Sequence, residues 1–251
     1  MTLRVLTYNL FFGGADRFQA IQAVLAYANA DIAALTEADD PEVVARLAGH
    51  LQMEHVWARG SGDRHIAVLS RFPVRAQKVY AAPPLTQAAL EVRLDTPSGP
   101  LTVYAVHLLP YLLLPFELRR WQAVGRLLQV IRQNRPGPHL ILGDLNAIAP
   151  GDRVLQARNP PPMRRLMRWQ FGLVFRLAVP RLLRAGYVDC YRALHPHEDG
   201  FTWMPGNLTT RYDYIFADPQ MAARLQTCDV LSDPPAVSTA SDHLPVMATF
   251  R

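Results

Sequence analysis

Eight polar residues stand at the ends of apolar, strand-like runs. Asn9 follows residues 3–8, Glu37 follows 32–36, and His107 follows 101–106. Asp144 and Asn146 follow 139–143, Asp213 opens 214–217, and the pair Asp242-His243 stands just before 246–250. A strand delivers the side chain at its end to the rim of its sheet, so residues far apart in sequence can meet there. Four carboxylates, two imidazoles and two carboxamides make an oxygen-rich set without cysteine. Such a set suits one or two hard divalent cations, Mg²⁺ or Mn²⁺, rather than structural zinc. A cation of that kind polarises a phosphoryl oxygen, steadies a leaving oxyanion and lowers the pKa of bound water. A phosphodiester needs that help because its own charge repels a nucleophile. An imidazole held by a carboxylate serves as base or as electrostatic stabiliser. These residue types describe an enzyme.

The elements that must position the set follow from periodicity and turn signals. Residues 16–29 have helical spacing with Asp16 as N-cap, and 41–51 suit a helix with Pro41 in its first turn. Strand-like runs lie at 55–59, 65–71, 74–80, 87–95 and 101–108, separated by Gly, Pro, Asp and Ser. Residues 116–132 form an amphipathic helix, 139–142 a buried strand, and shorter strands fall at 201–204, 212–217, 227–231 and 246–250. Strands following one another directly, with helices between some of them, predict an α+β layered protein with mostly antiparallel sheets and exclude a Rossmann domain.

No Gly/Ser linker, low-complexity run or repeat divides the 251 residues, and the polar set spans residues 9 to 243. One domain over 1–251 is therefore expected, with half of its residues hydrophobic and available to a core. No run approaches the roughly 20 apolar residues that span a bilayer. The first residues read as a strand rather than a secretory signal, so a cytoplasmic location is expected, with peripheral membrane contact allowed. Cys190 and Cys228 follow no metal-ligand spacing and are expected as reduced, partly buried thiols. The net charge of +5 is uneven: residues 153–188 hold eight arginines and no acid, which leaves the remainder at −3. This segment is expected as an Arg-rich helical insertion.

In their order, these motifs resemble the endonuclease/exonuclease/phosphatase superfamily, which includes DNase I, exonuclease III-type repair nucleases, neutral sphingomyelinases and inositol polyphosphate 5-phosphatases. The resemblance covers nearly the whole chain. It implies a four-layered α/β/β/α sandwich around two central sheets, and a divalent-metal phosphoesterase site. By the same resemblance Glu37 is the principal metal ligand, with Asn9 and Asp242 near the same ion. Asp144 and Asn146 place the attacking water and a second ion where there is one. His243, oriented by Asp213, is the catalytic histidine, and His107 contacts the scissile phosphate. The stretch from His65 to Pro73 and the pair Thr202-Trp203 also fit the family pattern. Thr36 departs from a common Gln, and Phe11 stands where several nucleases carry Asp or Asn, which makes the rim more apolar.

Other motifs carry less. His195-Pro196-His197-Glu198-Asp199 spells His-x-His-x-Asp, but without further ligands it reads as a solvated loop. Asp189 and Arg192 are expected to cap a short helix. Arg211 is a candidate for the substrate phosphate, with pairing to a carboxylate as the alternative. Residues 108–116, directly after His107, are apolar where the family is usually polar. Read as one helix at about 100° per residue, residues 163–179 carry Arg164, Arg165, Arg168 and Arg176 on one face. That face suits an anionic membrane surface or phosphates, so Arg164 and Arg168 are candidate substrate contacts. The expected function is a metal-dependent phosphodiesterase of a lipid-headgroup or other amphiphilic substrate. The alternatives are a DNA or RNA nuclease of the same superfamily and, from another class, a non-catalytic membrane- or partner-binding module.

Overall fold

Three of the strands that carry the polar set are buried on both faces: all five residues of Ile32–Thr36, all six of His139–Asp144 and all five of Asp213–Ala217. The computed structural model describes residues 2–251 apart from Ser61, Asp63, Thr86, Gln87 and Arg135 and Pro235, with Ala88 described in its backbone only. The strand expected from residue 87 starts at Ala88 among the described residues, and Gln87 lies outside them.

In chain order the elements are β1 (Leu3–Asn9), α1 (Phe18–Ala28), β2 (Ile32–Thr36), α2 (Pro41–Leu51), β3 (Glu54–Ala58), β4 (Ile66–Ser70), β5 (Val74–Tyr80), β6 (Ala88–Thr96) and β7 (Gly99–His107). There follow α3 (Leu114–Asn134), β8 (His139–Asp144), α4 (Pro161–Trp169), α5 (Ala178–Arg184), β9 (Val188–Asp189) and α6 (Cys190–Leu194). The chain closes with β10 (Asp213–Ala217), α7 (Pro219–Ala222), β11 (Leu225–Val230), α8 (Val237–Ala240) and β12 (Val246–Phe250). One six-stranded sheet has the order β11-β12-β1-β2-β4-β3, and the other β5-β6-β7-β8-β10-β9. Among the described residues only β1–β2 and β7–β8 pair in parallel, each across a connecting helix, as parallel neighbours require.

The two sheets pack face to face through Val5, Ile32 and Val68 from one and Val92, Val103, Leu142 and Ile215 from the other. On the outer face of the first, Leu6 and Tyr8 pack with Ile21 and Val24 of α1 and Val44 and Leu47 of α2. On the outer face of the second, Tyr104, Ile141 and Phe216 pack with Val124 and Leu127 of α3 and Leu182 of α5. The result is the helix/sheet/sheet/helix sandwich the resemblance implies. No described helix is long and apolar enough to cross a membrane.

Several boundaries differ from expectation. Helix α2 begins at Pro41, with the Asp40 carboxylate accepting from the Glu42 and Val43 amides, as its cap chemistry predicts. Helix α1 instead starts at Phe18, after a 3-10 turn over Ala15–Arg17, so Asp16 is not its N-cap. Gly14 enters that turn at φ 70°, and a Cβ there would meet Ile21 Cδ1 at 2.2 Å. Residues 201–204 form no strand; Trp203 makes isolated bridges to Thr210 and His243. The helix expected over 163–179 is broken. Helix α4 ends at Trp169, Phe171 and Gly172 turn to positive φ, and the Gly172 amide reaches back to the Met167 carbonyl at 2.9 Å.

Gly143 ties this frame to the site. Its φ is +143°, and an added Cβ would meet the Val106 carbonyl oxygen at 1.8 Å. Gly143→Ala must push β8 from β7 and displace Asp144. We expect it to cost about 1–3 kcal/mol of stability, read as a lower urea midpoint, together with a loss of activity.

Candidate active site

Strand register assembles the site. In the second sheet His107 pairs with Asp144, and Asp144 pairs with Asp213, so three polar residues share one row across β7, β8 and β10. In the first sheet Asn9 pairs with Thr36, and Glu37 is the next residue. The Ser241 hydroxyl donates to the Asn9 carbonyl at 2.6 Å, which fixes the Asp242-His243 turn beside β1. Both sheets thus end at one rim, and all eight residues of the polar set lie there.

The side chains are interlocked. The Asn9 amide donates to Asp144 Oδ2 at 3.1 Å and to Glu37 Oε1 at 3.4 Å, while its own oxygen accepts from the Phe11 amide. His243 Nδ1 lies 2.7 Å from Asp213 Oδ2, and its Nε2 faces Asp144 Oδ2 at 3.9 Å and Asp242 Oδ1 at 4.0 Å. His107 Nε2 lies 3.8 Å from Asp144 Oδ2 and 3.4 Å from the Asn146 amide. The Trp203 indole donates to Asp242 Oδ2 at 3.4 Å. Glu37, Asn146, Phe11, Phe12 and Tyr111 all have positive φ, a cluster of costly backbone conformations of the kind that functional sites retain.

The environment divides the two histidines. Burial pulls the His107 imidazole down to about 4, against the upward pull of Glu37, so it is neutral at neutral pH. Burial acts the same way on His243, but the charge and hydrogen bond of Asp213, with Asp144 and Asp242, outweigh it and lift the group to about 10. Burial, and then the neighbouring Asp213 charge, push the Asp144 carboxyl upward. Burial raises Asp242 as well, with Glu37 adding to it and His243 opposing.

This crowding of acids is what a cation would relieve. Asp213 Oδ1 and Asp242 Oδ1 are buried without hydrogen-bond partners. Ligand-type atoms of Asp144, Asp213 and His243 lie within 4.8 Å of one another. His243 and Asp213 already bind each other, whereas Asp242 Oδ1 is unpartnered and the Glu37 and Asp144 carboxylates keep lone pairs beyond the hydrogen bonds they accept, so these three fit a hard divalent ion better.

The rim opens into a cleft of about 430 Å³, where Glu37, His107, Asp144, Asn146, Asp242 and His243 meet Phe11, Phe12, Pro110, Tyr111, Met163 and Trp203. Arg17 holds the Phe11-Phe12 loop by donating to the carbonyls of Leu10, Phe11 and Ala240. Arg64, which the sequence reading passed over, also lines the cleft. Its Nε lies 3.4 Å from Glu37 Oε2, and its guanidinium stacks on Phe12 at 4.0 Å. The available signal was its place at the mouth of β4, where the other site residues also stand.

The three expected substrate arginines are not in this cleft. Arg211 is 1% exposed, with Nε at 2.8 Å from Asp152 and the remaining nitrogens at 2.7 and 3.0 Å from Asp189. A planar cation held by two buried carboxylates cannot swing to a phosphate, so the alternative reading of Arg211 holds. Asp189 also N-caps α6 through the Arg192 amide, as expected. Arg211→Met would strand Asp189, while Asp152 keeps Arg192 at 2.8 Å, and we expect a loss of about 3–5 kcal/mol in a denaturation midpoint analysis. Arg164 donates to the carbonyls of Ala157 and Asn159, and Arg168 is exposed on α4 away from the cleft lining. Arg176 lies beyond the helix break and donates to Ala149, Val174 and Asp152 carbonyls, so the four-arginine face does not form. Cys190 and Cys228 are free and buried.

Residues 6–243 match the family described as endonuclease/exonuclease/phosphatase. The fold is similar to that of a 3′ phosphatase from Neisseria bound to a product DNA hairpin, at 22% identity, 99% coverage of both chains and a TM-score of 0.75. It is also similar to an AP endonuclease from Archaeoglobus fulgidus, at 19% identity, 99% coverage of both chains and a TM-score of 0.76. An endonuclease/exonuclease/phosphatase protein from Beutenbergia cavernae aligns at 20% identity over 100% of this chain and 71% of that one, with a TM-score of 0.73. At these identities the likeness to the three structures is one of fold.

Proposed function

This chain belongs to the endonuclease/exonuclease/phosphatase family and is a phosphodiester hydrolase, and from that premise we propose a Mg²⁺- or Mn²⁺-dependent enzyme acting on an amphiphilic phosphodiester such as a lipid headgroup. Glu37 and Asp242 hold the ion, with Asn9 fixing Glu37 against Asp144. Bound there, a divalent cation would neutralise charge on the phosphoryl oxygens and the attacking or leaving oxygen. Asp144 and Asn146 orient the water for in-line attack. Neutral His107 donates to a phosphoryl oxygen. His243, kept as imidazolium by Asp213, stabilises charge that grows in the transition state.

The observation that carries the substrate class is the wall of the cleft. Phe11, Phe12, Pro110, Tyr111 and Met163 give the site an apolar side, suited to the hydrocarbon flank of an amphiphile. A nuclease is the second reading, favoured by Arg165 and Arg168, exposed on α4, the helix whose first turn brings Met163 to the cleft. The test is a turnover panel with Mg²⁺ or Mn²⁺ over phospholipid, sphingomyelin, plasmid DNA, abasic duplex, RNA and bis(p-nitrophenyl) phosphate. The amphiphilic reading expects the highest kcat/KM on a lipid; a DNA substrate preferred over every lipid would replace it with the nuclease. Absence of metal-dependent turnover on any of them would leave a non-catalytic module.

A further inference from the structure

The turn that ends α4 presents large apolar side chains directly to solvent. Trp169 is 86% exposed, Phe171 92% and Leu173 55%. One turn earlier, Met167 is buried against Leu112, Ile148 and Tyr212, so the helix is docked by one face and bare at its tip. The tip is braced. The Gln170 side chain donates to the carbonyls of Leu112 at 2.6 Å and Leu173 at 2.7 Å, and Gln156 donates to the Gly172 carbonyl at 2.7 Å. Residues held this firmly, yet left outside the core, are poorly explained as frayed chain.

The bare tip joins the mouth of the cleft. Gln170 grips the loop that carries Tyr111, itself 51% exposed and lining the cleft, while Met163 at the other end of α4 lines it too. From that loop runs α3, where Leu114, Leu118 and Trp121 are all exposed at helical spacing and so share one face. Charge accompanies the apolar surface: Arg165 and Arg168 are exposed on α4, in a segment with no acidic residue from 153 to 188. Aromatics beside arginines, protruding rather than forming a groove, match the headgroup–acyl boundary of an anionic bilayer.

We propose that residues 169–173, with Tyr111 and the flanking Arg165 and Arg168, form a docking surface that seats the cleft mouth on an anionic phospholipid bilayer. The inference rests on the reading of the enzyme as a phosphodiesterase of amphiphiles, and adds the surface from which substrate is drawn. Trp169, Phe171 and Leu173 enter the interface, the arginines meet anionic headgroups, and the apolar loop at Tyr111 lies between bilayer and metal site.

The test uses the full chain with vesicles of phosphatidylcholine alone and of phosphatidylcholine with phosphatidylserine, read by co-sedimentation. Wild type should bind the mixed vesicles at least ~10-fold more tightly. Trp169→Ser/Phe171→Ser should lower that binding at least ~10-fold and leave turnover of soluble bis(p-nitrophenyl) phosphate unchanged. Arg165→Glu/Arg168→Glu, scored by vesicle binding alone, should remove the preference for phosphatidylserine. Equal binding by wild type and both variants, or no binding by wild type, would overturn the docking surface. So would a wild-type dimer in gel filtration that the Trp169→Ser/Phe171→Ser variant breaks, without vesicle binding, since a second copy would then cover the patch. Absence of metal-dependent diester turnover would instead sink the phosphodiesterase reading, with vesicle binding still scored by itself.

Discussion

Glu37→Gln is expected to lower kcat/KM on bis(p-nitrophenyl) phosphate by about 10³-fold, the equivalent of several kcal/mol of lost charge stabilisation. The substitution keeps the shape of the side chain and removes its charge. The Gln oxygen can still accept from the Phe12 amide, which now donates to Glu37 at 3.0 Å, so the positive-φ turn need not collapse. What is lost is the anionic oxygen that faces the cleft beside Asn9 and Asp144. Arg64 loses one carboxylate partner but retains Asp39 at 3.4 Å. Circular dichroism should therefore match wild type while activity falls. Full turnover by a well-folded variant would remove Glu37 from the metal site.

His243→Ala should reduce kcat by 10²-fold or more while KM changes little, because a charge that acts on the transition state contributes little to ground-state binding. The 2.7 Å contact between Nδ1 and Asp213 fixes the ring, and the surrounding acids keep it protonated. A change confined to KM would reassign His243 to substrate binding. The same contact has a pH signature. The folded value of about 10 lies above the ordinary 6.5, so the stabilisation is whole below 6.5 and is lost as pH rises through about 10. Thermal unfolding in EDTA should show the advantage of wild type over His243→Gln shrinking across that window.

The polar residues at strand ends were legible because position and type are both written in the sequence. An apolar run of strand length that stops at Asn9, Glu37 or Asp144 announces a rim. Which rims meet was not: that follows from the register of β7, β8 and β10, a long-range pairing that local periodicity does not encode. The resemblance to a known family supplied that link. Arg211 stayed open between a substrate phosphate and a carboxylate because its two partners, Asp152 and Asp189, lie 59 and 22 residues away in the chain. The broken helix over 163–179 is different, since Gly172 was a readable stop signal that the apolar and arginine periodicity overrode. Its consequence is large: three of the four arginines remain on α4, and the residues after the break become an exposed aromatic tip. The positive φ of Glu37 left no trace in its residue type, whereas Asn146 is of a type that tolerates the left-handed region.

The claim at the centre of this account is that a divalent ion held by Glu37 and its neighbours performs the charge work on the phosphate. Its most direct test is turnover of bis(p-nitrophenyl) phosphate by wild-type protein stripped with EDTA and then titrated with Mg²⁺ or Mn²⁺. The account predicts background turnover in EDTA and saturable recovery with added metal, absent in Glu37→Gln over the same range. Undiminished turnover in excess EDTA would contradict it.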